Sequence, residues 1–229
     1  DRTDYVPVST NTAGTFQLDS GSKIVSAARG KDYIFVVTDT SAYIMQFVGP
    51  PFTFSIRQVG SNCGAMSQHS LVHVDGIMYW MGKSGGFYAY DGGSVKKLTC
   101  SVEDFVFTTQ TSDDLGFNTG QSEQVFAGYN TLFTEINWFY CKDGSTQIDR
   151  CVTLNYREGL WTTSSLARTA YSDKYVLDNP YATEYNASGL PSVSINGITN
   201  EFGAATLYKH ETGNNQLDTV GNKTAINAF

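Results

Sequence analysis

Few side chains in this chain of 229 residues are of a type and spacing that can do chemistry. His69 and His73 stand four positions apart, around a predicted strand start, where such residues fall on one side. As a metal pair they lack the Glu that H-E-x-x-H places between them, so structural or surface roles are expected. His210 stands alone near the tail. Glu103-Asp104 and Asp113-Asp114 are paired by type, and glycoside hydrolysis needs two carboxylates flanking a bond. The first pair is explained as well by a helix start, where acidic groups favour the dipole. The second lies in a polar loop and reads as solvated charge. There is no G-x-S-x-G elbow, no sialidase-type S-x-D-x-G-x-x-W box, no G-x-G-x-x-G or Walker loop and no EF-hand loop.

Cys63, Cys100, Cys141 and Cys151 contain no C-x-x-C pair, and no His follows them at zinc spacing. Cys141 and Cys151 lie on two runs joined by a turn at Lys142 to Ser145. They read as buried thiols, since free Cys is among the most buried residue types, with a disulfide across the hairpin as the alternative. Tyr129, Trp138, Tyr140 and Trp161 sit at strand spacing. Such aromatics supply core area more often than a sugar-stacking platform. Asn186-Ala187-Ser188 and Asn222-Lys223-Thr224 match the glycosylation sequon and carry almost no weight without a secretory signal. The residues thus predict no catalytic set, no cofactor-binding residues, no metal ligands and no enzyme.

The elements that position these residues are strands. From Val72 to Leu98 the chain reads VHVDGIMYWMGKSGGFYAYDGGSVKKL. An apolar run (Ile77 to Met81) meets a glycine hinge (Gly82, Gly85, Gly86). A second run (Phe87 to Tyr90), a turn (Asp91, Gly92, Gly93) and a more polar third run follow. Aromatic and β-branched residues suit a half-buried pleated surface, and Asp-Gly and Gly-Gly mark hairpin turns. This is an antiparallel meander with two faces to cover.

Elsewhere, strands are expected at Gly14 to Leu18, Lys23 to Ala28, Asp32 to Thr38, Ala42 to Val48 and Phe52 to Val59. Others are expected at Ser70 to Val74, Glu123 to Tyr129, Leu132 to Cys141, Thr146 to Tyr156 and Leu160 to Thr162. Short ones follow at Arg168 to Tyr171, Tyr181 to Tyr185 and Ala204 to Tyr208. Ser101 with Asp104 predicts a capped helical turn. Residues 108–122 and 186–203 read as loops.

The layouts starting at Asp32, Gly76 and Ile136 repeat, 44 and 60 residues apart. Propeller blades recur at roughly 40–50 residues, so the spacing fits if 108–122 is an insertion. The prediction is an all-β, β-propeller-like array of antiparallel meander blades, part of a larger propeller, with a β-sandwich as the alternative. Residues 1–212 form one such domain and 213–229 a polar extension. The chain opens at Asp1 in mid-pattern and ends abruptly at Phe229, which predicts a fragment of a longer protein.

Composition sets the outer bounds. Aromatics are 14% and charged residues 16%, well below the usual ~25% charged, so the chain is no disordered acidic tract. Net charge is -7 and Lys96-Lys97 is the densest basic pair. Tight nucleic-acid binding needs a clustered basic footprint, which is missing. No apolar run approaches the ~20 residues of a membrane-spanning helix, and no membrane partner is expected.

The elements FVGPPFTFSIRQVG (47–60), DGIMYWMGKSGGFYAYDGG (75–93) and INWFYC…IDRCVTLNYREGLWTTSSLARTAY (136–171) resemble tailed-phage virion proteins of the tail tubular (nozzle) and packaged-DNA stabilisation kind. The resemblance spans Ser20 to Asn186 and its motifs are structural. It implies a β-propeller-type domain in a multi-copy ring, often sixfold, at the tail end of the portal channel. It implies portal, adaptor and other tail proteins as partners, a place in the virion after assembly in the host cytoplasm, and roles in closing the capsid exit and conducting DNA without binding it specifically. An acidic channel wall repels phosphates. The readings from other classes are a host-glycan-binding propeller and a glycoside hydrolase.

Overall fold

The computed structural model describes residues 6, 8, 13–49, 53–108, 116–173, 180–185, 191–195, 207–211 and 214–217. The chain is all-β, with four antiparallel sheets, each built from strands consecutive in sequence. It divides into two compact units, Asp1–Thr99 and Cys100–Phe229, and each unit holds two sheets.

In the first unit, β1 (Ile24–Arg29), β2 (Ile34–Thr38), β3 (Ser41–Gly49) and β4 (Thr53–Ser61) pair in that order. A second meander follows from β5 (Leu71–Val74), β6 (Ile77–Met81), β7 (Phe87–Tyr90) and β8 (Val95–Leu98). β6 and β7 fall where the two apolar runs predict them. The β5–β6 turn has Asp75 and Gly76 both at positive φ, 49° and 84°, the backbone that an Asp-Gly hairpin turn requires. Gly14 to Leu18 is no strand: it is unpaired, and its one large aromatic residue, Phe16, is 52% exposed.

The two sheets stack. Phe35 and Val37 of β2 and Ala42 and Ile44 of β3 meet Met78 and Trp80 of β6 and Tyr88 and Tyr90 of β7. Phe35 stacks on Tyr90 at 5.0 Å between ring centroids and tilts against Trp80 at 5.3 Å. Fully burying a large apolar side chain stabilises by roughly 1.5–3 kcal/mol, so this layer dominates the unit. Trp80 Nε1 donates to the Cys63 carbonyl (2.7 Å) and Tyr88 Oη to the Asn62 carbonyl (3.1 Å). The aromatic tips therefore pin the linker between the sheets. That linker also docks on the β2–β3 turn, with Cys63 N donating to Thr40 O and Ala65 N to Thr38 O. Gly64 lies so close that an added Cβ would stand 2.1 Å from the Asp39 carbonyl oxygen.

The first strands of the two sheets, β1 and β5, approach each other, and Ser26 Oγ of β1 donates to the Gln68 carbonyl just before β5. Among the described residues, strands never alternate between sheets. That separates the arrangement from an immunoglobulin-type Greek key and matches the blade-by-blade order of propellers.

The second unit opens with a short helix, α1 (Glu103–Phe107), then a 3-10 turn (Thr119–Gln124). The helix lies where expected but starts from Val102 without a side-chain cap, so the Ser101 cap is corrected. The 3-10 turn replaces the expected beginning of a strand at Glu123. Asn118 draws the backbone into it by accepting a hydrogen bond from Gly120 N at 3.0 Å.

β9 (Phe126–Asn130), β10 (Glu135–Tyr140), β11 (Arg150–Asn155) and β12 (Leu160–Ser164) form the third sheet. β13 (Ala170–Ser172), β14 (Tyr181–Tyr185), β15 (Pro191–Ile195), β16 (Leu207–Glu211) and β17 (Asn214–Leu217) form the fourth. β15 lies inside the expected loop at 186–203, and β17 inside the expected polar extension. Polar side chains suffice there because backbone pairing with β14 and β16 sets the strands.

The third sheet carries buried apolar residues on both faces. Ile136, Trp138, Tyr140, Val152, Leu154 and Trp161 bury one face. Phe139, Cys151 and Phe126 take the other, where Tyr171 of β13 packs and its ring fills the space left by Gly128. Asp173 accepts from Thr131 N (3.2 Å) and Thr131 Oγ1 (2.9 Å), which ties the end of β13 to the β9–β10 turn.

Gly64→Ala should cost about 1–3 kcal/mol by overpacking, read by urea unfolding. Gly14→Ala, with nothing near its Cβ position, should stay within about 0.5 kcal/mol. Equal effects would refute the close approach. A second test concerns Asp39, whose hydrogen bonds from Ser22 hold its carboxyl down at about 2. A depressed folded value means the clasp contributes fully above the unfolded value of 3.8 and is lost as pH falls through about 2. An NMR titration of Asp39 with its midpoint at the unfolded value would sink this assignment.

Candidate functional site

A hydrolytic or metal site needs converging charged or nucleophilic groups. His73 lies on β5 and His69 just before it, and both are exposed. Among the described residues, no group of three or more His, Cys, Asp or Glu is placed to hold a metal ion. Glu103 and Asp104 occupy the first turn of α1, as the dipole favours. Asp113-Asp114, the two sequons and residues Ala204 to Thr206 of the last expected short strand lie outside the described residues.

The expected alternative of a sugar platform does not form. Trp138, Tyr140 and Trp161 are 0, 1 and 9% exposed. The two indoles stack within the sheet at 6.0 Å, and Phe117 covers Tyr140. Of the four rings, only Tyr129 reaches solvent. Strand spacing put these rings on one face, and burial made that face core.

All four cysteines are thiols, with Cys63, Cys141 and Cys151 buried. In the β10–β11 register, Cys151 faces Phe139 and Tyr140 faces Arg150, so Cys141 falls beyond the last pair and the cross-hairpin disulfide is not formed. Burial pushes Cys63 and Cys141 up to about 11 and Cys151 up to about 12. The nucleophile is the thiolate, so these three are inert packing groups.

Sequence reading missed one buried polar cluster. Arg168, 2% exposed, lies beside Cys151 and Tyr171, and desolvation lowers its pKa. Asn137 on β10 accepts from Thr153 Oγ1 at 2.7 Å. Glu135, at the start of β10, has its carboxyl raised by burial. Side chains at alternate positions of β10 would have flagged Glu135 and Asn137, but nothing around Arg168 marks it as interior. The cluster holds one carboxylate, Glu135, and its hydrogen bond from Thr153 to Asn137 links neighbouring strands of the sheet.

Two surface grooves stand out among the described residues. One, of about 260 Å³, is lined by Gln124, Gln147, Ile148, Ala167 and Thr169, with amides and a hydroxyl as its polar groups. The other, of about 390 Å³, runs along β1–β4 past Ala27, Arg29, Ile34, Met45, Phe47 and Phe54. Its chemistry is apolar with a charged border. Neither brings two carboxylates together.

No family model matches the chain, and no curated protein matches it significantly. Nor is any helix of the described residues long and apolar enough to cross a membrane.

Burial should govern thiol reactivity. At neutral pH, iodoacetamide should label the native chain at half-buried Cys100 first, and all four cysteines after unfolding. With pKa values near 11, the buried thiols are ionised only to about one part in ten thousand. Fast native labelling of Cys151 would contradict the packing.

Proposed function

We propose that this chain is a structural module of a tailed-phage virion, in the tail nozzle or connector. There it assembles in multiple copies and extends or closes the channel through which DNA leaves. The observation that carries the reading is the scaffold itself. Two consecutive meanders lock face to face through Phe35, Trp80 and Tyr90, and the third sheet carries buried apolar residues on both faces. Such stacking yields stiffness and shape from aromatic area. The motif resemblance across residues 20–186 supplies the virion context. The net charge of -7 suits a wall that lets a polyanion pass without retaining it.

Two competing readings lose ground on specific residues. A glycan-binding module would present the Trp138 and Trp161 rings to solvent, and both are core. A glycosidase needs a second carboxylate facing the first, and each groove has at most one.

Immunogold labelling of purified virions with antibody to this chain tests the proposal. Label at the tail vertex is the expected result, and particles free of the protein would end it.

A further inference from the structure

We draw no further inference here: the strongest candidate, the exposed apolar surface patch of Tyr129, Leu132 and Phe133 at the β9–β10 turn, carries nothing because no feature of the structure shows what covers it.

Discussion

A four-stranded meander is one layer thick, and its side chains alternate between two faces. If both faces are apolar, the sheet cannot stand alone in water. That constraint organises this chain. The β5–β8 sheet has Met78, Trp80, Tyr88 and Tyr90 on one side and Tyr79, Met81, Phe87 and Ala89 on the other, all buried. The third sheet repeats the pattern with Trp138 and Trp161 against Phe139 and Cys151. Stacking on β1–β4 covers the first of these faces. The aromatic richness that first invites a ligand-binding reading is consumed by the fold.

Polar groups then fix how the layers meet. Apolar contact is non-directional, so it sets that sheets stack but not their register. Trp80 Nε1 on the Cys63 carbonyl and Tyr88 Oη on the Asn62 carbonyl tether the linker to the second sheet. Asp39 gathers Ser22 at one turn, and Asp173 gathers Thr131 at another. In both cases a carboxylate accepts one backbone N–H and one hydroxyl from the same residue. Carboxylates, the residue type that first suggests acid–base chemistry, thus act as clasps at sheet rims, where their desolvation cost is small.

Legibility in sequence followed the physics of each segment. β6 and β7 were readable to the residue because dense Tyr, Trp, Phe and Ile are bounded by glycines that must turn. β2 and β3 were readable because the hairpin DYIFVVTDTSAYIMQF carries its own turn. β15 and β17 were not, since Ser-Val-Ser-Ile and Asn-Asn-Gln-Leu owe their strand state to neighbours rather than to composition. The 3-10 turn at Thr119–Gln124 was missed because an Asn side chain, not hydrophobic period, decides it. For the candidate site, type and spacing placed His69, His73, Glu103 and Asp104 on a strand start and a helix start, where the structure has them. They gave no access to burial, which turned the aromatic platform into core and hid Arg168.

The overhanging β3–β4 hairpin is where these arguments meet. The other aromatic pairs of the first unit belong to its core or pack against it, yet Phe47 and Phe54 pack on each other in the open. Exposed edge strands are normally blunted with charge or bulges. Here β4 has a single charged residue, Arg57, and the register shifts at Ala42/Tyr43 and Phe47/Gly49 bend the ribbon without shortening it. The same fold hides Trp80 completely and leaves Phe47, Val48 and Phe54 of this ribbon exposed, with a second exposed apolar group at Tyr129, Leu132 and Phe133. Apolar surface of that kind lowers solubility unless something covers it.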